Sequence, residues 1–311
     1  MLFLAAMTAL PLTSCDSSTE DLDNVTLQLN WYHDAEFAGF YMAQAKGFYE
    51  DENLEVTLEE GGLEVNAKNR MLEGEVEFAL TTFAEHQGWV AKGRPSVAVM
   101  AAFQIPPHVL ISLADSGIDK PQDMIGRRVA IKGKPWRDII QATLTNAGID
   151  VSEIIEVEVE SDAIEMLYNG DVDVWTGLAS NEPIQAQQAG YEVNLIFSAD
   201  YGVGSYEELL IVHQDLLDQN PSLVDRFIRA SLRGWHYALE HPDEAAEVIA
   251  QWEPDLGEEF HRLAIRALID LVDTPHAPIG WIDDERWRQS MGTAYTADWP
   301  GYTMQFVEEA Q

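Results

Sequence analysis

The chain predicts an α/β fold built as two lobes, and three observations carry that expectation. From residue 25 to residue 212, short apolar runs with the period of a strand alternate with runs of helical period. Glycines or Asn-Gly pairs punctuate the junctions, as at Gly47, Gly148, Asn169-Gly170 and Gly190. The length of 311 residues, 46% hydrophobic and 23% charged, suffices for two compact cores, and no apolar run is long enough to span a membrane.

The elements follow in order. Val25, Leu27 and Leu29 alternate with polar residues, so residues 25–31 read as a strand. The strand breaks at Trp31-Tyr32-His33-Asp34, and Phe37, Phe40, Tyr41 and Ala45 continue at helical spacing. Residues 54–60 form a second strand, 65–75 a helix, 76–82 a strand, 85–92 a helix and 96–103 a strand. The apolar run 108–113 ends at Asp115-Ser116-Gly117-Ile118. Beyond it come a strand at 127–131, a helix at 136–147, a strand at 154–159 and a helix at 162–168. A strand at 172–177, a helix at 181–188 and a strand at 192–197 complete this unit. After Asp200-Tyr201-Gly202-Val203-Gly204, the run 209–212 is another strand, and from Pro221 onward the chain is mostly helical. Such alternation predicts a parallel-rich sheet with helices on both faces. In open sheets of this kind ligands bind at the carboxyl ends of strands.

Charge and cysteine content narrow the partners. Fifty-four acids against 18 bases give a net charge of −36, which argues against nucleic acid or an anionic membrane surface as a partner. Only six bases are lysines; a Lys-poor, acid-rich surface resembles proteins adapted to high salt, where ions screen self-repulsion. The single cysteine, Cys15, leaves no internal disulfide and no thiolate metal cluster. It follows the apolar segment MLFLAAMTALPLTS, and Leu12-Thr13-Ser14-Cys15 matches a bacterial lipobox, whose cysteine becomes lipidated. The acidic, Ser-rich CDSSTEDLDN would be a tether, so residues 1–24 read as lipoprotein signal and tether. The apolar segment has no Lys or Arg ahead of it, and a start further upstream would supply one. A diacylated anchor attaches a protein firmly without a spanning helix.

Trp31, Ala38-Gly39-Phe40-Tyr41 and Lys46-Gly47-Phe48-Tyr49 resemble the opening of the NMT1/THI5-like substrate-binding proteins of ABC importers. The resemblance continues through Asp115-Ser116-Gly117-Ile118, Asp123 to Val129, Asn169 to Val174 and Asn220 to Phe227. It implies the type II periplasmic-binding-protein fold, two α/β lobes joined by a two-crossing hinge. One lobe would comprise residues 25–115 and 204–311, and the inserted lobe residues 116–203. The crossings would fall near Ser112–Asp115 and Gly202–Glu208.

In such a fold the ligand lies between the lobes, and four places qualify. The first is Trp31-Tyr32-His33 with Phe37 one turn on. The second is Thr81-Thr82-Phe83, where hydroxyls and free N–H groups at a helix start suit a polar or anionic group. The third is Pro135-Trp136-Arg137, with Lys134 and Arg137 as the basic residues near the cleft. The fourth is Asn181-Glu182-Pro183 with Tyr201 and Tyr206. Glu182 resembles a carboxylate carried by thiamine-precursor-binding relatives just after that strand, where it would accept from an aminopyrimidine edge. Trp31, Trp136, Tyr201 or Tyr206 would stack on the ring for about 1 kcal/mol each. Trp175, Trp235, Trp252 and Trp287 read as core or interface residues, and His33 and His86 belong to no spaced metal motif.

The resemblance ranks the functions. A lipid-anchored, extracytoplasmic binding subunit capturing a flat heteroaromatic nutrient comes first. Its ligand would be a thiamine-precursor pyrimidine of the hydroxymethylpyrimidine or formylaminopyrimidine type. Its partners would be an ABC permease and ATPase, with the protein a monomer and no cofactor. Riboflavin-binding and sulfonate- or nitrate-binding subunits are alternatives. The related fungal pyrimidine synthases use a pyridoxal-phosphate lysine, a histidine four residues on and a cysteine-rich iron motif. Thr81 and Glu85 stand at the first two places and the third is missing, so an enzyme is not expected.

Overall fold

Residues 22–159 and 163–310 are described by a computed structural model of the chain. Cys15 lies outside them, as does Asp162, where the fifth helical run was expected to begin. The strands are β1 (Asp23–Gln28), β2 (Leu54–Glu59), β3 (Phe78–Thr81), β4 (Ser96–Phe103) and β5 (His108–Leu113). They continue with β6 (Arg128–Ile131), β7 (Ile155–Glu158), β8 (Trp175–Leu178), β9 (Val193–Phe197) and β10 (Glu207–His213).

The first sheet has the order β2-β1-β3-β10-β4. Strands β1, β2 and β3 run parallel, β2 and β3 each reached through a helical crossover, whereas β10 lies antiparallel between β3 and β4. Four of the five strands therefore run the same way, and the one antiparallel strand is the returning β10, inserted beside the edge strand β4. Every residue of β4 is buried, which accounts for its unbroken apolar run Val97 to Phe103.

The second sheet is centred on β5, antiparallel to β8 and β9. The parallel pair β6–β7 extends it through a bridge between Val129 and Val174. His108–Leu113 pairs within the second sheet, so the chain first passes from one sheet to the other through residues 104–107. The second passage spans residues 198–206, between β9 and β10. A run buried on both faces fits the centre of either sheet, so periodicity alone did not assign it.

Helices cover both sheets. Helix Ala38–Ala45 lies against the long helix Pro221–Glu240, and glycines make the approach possible. A Cβ on Gly39 would stand 2.2 Å from the Trp235 ring, and one on Gly234 would stand 2.1 Å from the Gly39 carbonyl oxygen. The Ala-Gly-x-Tyr signature is thus a packing device. Trp235, Trp175 and Trp287 are fully buried, and Trp252 is partly exposed against Tyr41, with ring centroids 5.5 Å apart. Among the described residues no helix is long and apolar enough to cross a membrane.

Candidate functional site: a cleft between the two sheets

A cleft of about 950 Å³ opens between the sheets, within the size range of small-molecule sites. On the first-sheet side the chain leaves β1 at Gln28 and bends through Asn30 to Asp34 instead of extending, which turns Trp31 outward to 38% exposure. The glycine turn after β2 packs beneath this bend. Gly62 has φ 124°, and a Cβ there would meet the Tyr32 ring at 2.6 Å. Thr82 caps helix Phe83–Val90, its Oγ1 accepting from the Glu85 N–H at 3.3 Å.

The floor is acidic. Glu36 follows the bend, and Glu207 and Glu208 begin β10; all three line the cleft. Consecutive side chains on a regular strand point to opposite faces. Glu208 has φ 50°, a left-handed conformation costing roughly 1–3 kcal/mol for a residue with a Cβ, and this twist accompanies two adjacent carboxyls lining one cavity. Asn30 Nδ2 donates to Glu208 Oε1 at 3.0 Å, and Ser180 Oγ reaches across from the second sheet to Glu36 Oε1 at 3.3 Å. Glu208 Oε2 and Asn30 Oδ1 are buried acceptors without a protein donor. Among the described residues no three His, Cys, Asp or Glu side chains are grouped so as to hold a metal ion.

The opposite wall comes from the second sheet. Lys132 follows β6, Trp136 lies in the first turn of helix Lys134–Asn146, and Asn181-Glu182 open helix Glu182–Gln188. Lys132 Nζ is 2.8 Å from Glu182 Oε1 and 5.0 Å from the Trp136 ring centroid. Glu182 Oε2 accepts the Leu178 N–H at 2.8 Å. Both Glu182 oxygens therefore already have protein partners, and Lys132, which is not among the residues expected from the sequence, is the cation on this wall. Lys134 and Arg137 pair instead with Asp138 and with Glu156 and Glu158.

The cleft brings together Trp31, Thr82, Trp136, Asn181 and Glu182 of the residues expected from the sequence. Tyr32 and His33 line an adjoining cavity of about 310 Å³ with Asp34, Ser180 and Glu253. Five other residues expected at the site do not line the cleft. Phe37 is fully buried, its ring edge-on to Tyr41 at 6.4 Å, and Phe83 is core, edge-on to Trp287 at 5.1 Å. Tyr206 is buried with its hydroxyl accepting from the Asp283 N–H at 2.8 Å. Tyr201 packs against the core of the second sheet, its carbonyl bound by Asn146. Thr81 is buried as well, its Oγ1 donating to Glu85 Oε2 at 3.0 Å. His86 is a core histidine held between Ser96 and the Gly301 carbonyl, and burial lowers it to about 4.

Burial dominates the electrostatics of the floor. It pushes Glu208 up to about 8, opposed by the Asn30 N–H and assisted by the Asp34 charge. Glu36 and Glu207 are raised well above the usual range by burial first and by neighbouring carboxylates second. The folded protein thus holds the Glu208 proton to about pH 8, whereas an unfolded chain releases it near 4.5. Across that window the folded state binds more protons, so this group's contribution to stability falls as pH rises. Glu208→Gln is expected to be more stable than the parent at pH 9, by up to about 5 kcal/mol. The two should converge at pH 4.5; urea unfolding at both pH values checks this. A substitution that stabilises while emptying a cleft of a carboxylate marks a residue kept for binding.

The model of the NMT1/THI5 like family matches residues 34–245. The chain is 25% identical to the formylaminopyrimidine-binding protein of Halalkalibacterium halodurans, over 93% of this chain and 91% of that one. It is 29% identical to the riboflavin-binding protein RibY of Chloroflexus aurantiacus, over 92% and 83%. Other relatives bear the name 4-amino-5-hydroxymethyl-2-methylpyrimidine phosphate synthase. Among solved structures, the periplasmic aliphatic sulphonate binding protein SsuA of Escherichia coli superimposes with a TM-score of 0.70 at 15% identity, over 88% and 85%. The fold is that of the periplasmic binding proteins, as the order of elements predicts.

Proposed function

The chain belongs to the NMT1/THI5-like family, and from that premise we propose that it is the extracytoplasmic binding subunit of an ABC importer for a flat heteroaromatic nutrient. A thiamine-precursor pyrimidine, of the formylaminopyrimidine or hydroxymethylpyrimidine type, is the ligand this reading puts first. The observation that carries it is the pair Trp31 and Trp136, contributed by different sheets to one cleft whose floor is made of hydrogen-bond acceptors. Each indole offers a flat face, and the acceptors supply the in-plane recognition that an aminopyrimidine needs. The relative named for formylaminopyrimidine supports the same class. Closure of the first-sheet lobe on the inserted lobe about residues 104–107 and 198–206 would present a changed surface to a permease and its ATPase. The protein would act as a monomer held to the membrane through a lipidated Cys15.

The alternatives fit less well. The cleft volume admits a flavin, and the riboflavin-binding relative keeps that ligand as the second reading. A sulfonate or nitrate would face Glu36, Glu207 and Glu208, while Lys132 and Lys68 are paired with Glu182 and Glu85. An enzyme of the pyrimidine synthase type would need a lysine and a histidine where Thr81 and Glu85 bond to each other.

Titration of purified protein with formylaminopyrimidine, hydroxymethylpyrimidine, riboflavin, taurine and nitrate, read by tryptophan fluorescence and melting temperature, tests the reading. Saturable quenching by the pyrimidines is expected; a thermal shift with the anions alone overturns it. Trp31→Ala and Trp136→Ala should each weaken pyrimidine binding by roughly ten- to a hundredfold, the usual cost of losing a stacked aromatic. Isothermal titration of the two variants measures that loss.

A further inference from the structure

We propose that Glu208, seconded by Asn30, is the residue by which this cleft selects its ligand, and that it takes an amidine-type edge: an amino group beside a protonated ring nitrogen. The inference rests on the heteroaromatic reading and assigns its in-plane recognition to the floor, away from Glu182. Glu182 has both oxygens occupied, by Lys132 and by the Leu178 N–H. Glu208 is 7% exposed and lines the cleft, yet its Oε2 has no protein donor. Asn30 Oδ1, on the side chain that holds Glu208 Oε1, is a second buried acceptor left open.

Buried polar atoms are almost always paired, so two open acceptors on bonded neighbours mark the place of absent donors. What fills them must bring at least two N–H or O–H groups. The groups around the floor fix the sign. Glu36 and Glu207 line the same cavity with their protons held by burial, and Asp34 adds its field to Glu208. His108, whose Nε2 is 3.9 Å from Glu207, is kept neutral by burial. A base that takes a proton from these carboxyls is therefore held as a cation beside the carboxylate it leaves, and an anion gains no such partner. An amidinium edge presents two adjacent N–H groups, one for Glu208 Oε2 as a charge-assisted hydrogen bond and one for Asn30 Oδ1. When a neutral aminopyrimidine binds, the carboxyl O–H bond of Glu208 breaks and an N–H bond forms on the ring nitrogen. The bonding pair stays on oxygen, and the ligand's lone pair holds the proton. Charge is conserved and no third reactant is required.

The left-handed backbone at Glu208 and its isolated oxygen both cost stability, and both are explained if the ligand supplies the missing donors.

The test compares 4-amino-2-methylpyrimidine with its 4-oxo counterpart, which has nearly the same shape but lacks the basic edge. The amino compound should bind at least tenfold more tightly, and its ultraviolet difference spectrum in the complex should be that of the protonated ring. Glu208→Gln should bring the two affinities within about threefold and abolish the protonated-ring spectrum, while tryptophan quenching still reports ring stacking. Equal binding of the two compounds to the parent, or an unchanged preference in Glu208→Gln, overturns the proposal and leaves the heteroaromatic reading standing. Binding of neither compound overturns both. Should Glu208→Gln not fold, the affinity ratio and spectrum of the parent protein decide the matter alone.

Discussion

Gly234→Ala should lower the stability of the protein by about 3 kcal/mol, the upper part of the range for overpacking a core. The reason is the nature of the obstacle. The new methyl would stand 2.1 Å from the Gly39 carbonyl oxygen and 2.7 Å from the Ala43 backbone nitrogen. Backbone atoms of a helix cannot step aside as a side-chain tip can. Relief requires moving helix Ala38–Ala45 off helix Pro221–Glu240, which also carries the ring of Trp235. That ring lies edge-on to Phe40 at 5.9 Å and to Phe103 at 6.2 Å, and Phe103 lines the cleft. The destabilised variant should therefore also bind ligand more weakly. Gly88→Ala is the matched control. Gly88 lies within helix Phe83–Val90 with nothing near its missing Cβ, so alanine there should stabilise by about 1 kcal/mol through helix propensity. Urea unfolding of both variants checks the pair, and a loss in both would mean that close approach is not the operative factor.

The same glycine shows how far the sequence could be read. Ala38-Gly39-Phe40-Tyr41 was legible as a family signature, but its partner Gly234 is nearly two hundred residues away and has no local signal. Strands β1 and β2 were legible from their apolar alternation and β3 and β4 from short apolar runs bounded by turn residues, and β4 matches its expected span residue for residue. The sheet to which β5 belongs was not, since pairing is a long-range choice. At the site, Trp31, Trp136 and Asn181-Glu182 were found because each sits where a strand hands over to a helix. Phe37 and Phe83 sit near such junctions too, but turn inward, and one residue of helical phase decides which way; Tyr206 turns inward from the loop that leads into β10. Glu207 and Glu208 were missed although a signal existed. Two adjacent acids opening an apolar strand must either be solvated or line a cavity, and φ 50° at the second is a property no residue type announces. Lys132 also had a signal, standing one residue after the apolar strand Val129 to Ile131.

The net charge of −36 reads differently once the acids are placed. Most lie on the surface, where ions screen them. A few are withdrawn into the cleft, where screening is poor and each raises its neighbours' hold on a proton. The surface charge bears on solubility and leaves ligand choice untouched. The buried carboxyls shape the ligand's charge, and they do so against the stability of the empty protein.

Lys132→Met should cost about 3 kcal/mol, because it leaves the Glu182 carboxylate buried without its cation. The pair is well shielded, with side-chain exposures of 11% for Lys132 and 8% for Glu182. Gly177 lies against it, since a Cβ there would come within 2.3 Å of the Glu182 carboxylate, so the carboxylate has been given a fitted place. Attraction within such a pair is large, yet it is offset by the cost of removing both charges from water. The double variant Lys132→Met/Glu182→Leu should therefore recover most of the lost stability, since it replaces two buried charges by apolar groups of similar volume. Glu182→Gln alone should be milder than Lys132→Met, because an amide oxygen can still accept the Leu178 N–H. Binding separates the two roles of the wall. Lys132 also lies 5.0 Å from the Trp136 ring, so every variant lacking it should loosen that indole and weaken ring stacking, the double variant included. Recovery of stability without recovery of affinity is the expected pattern across the cycle. If affinity returned with stability in the double variant, the ion pair would be a structural brace alone, with no hold on the stacking face.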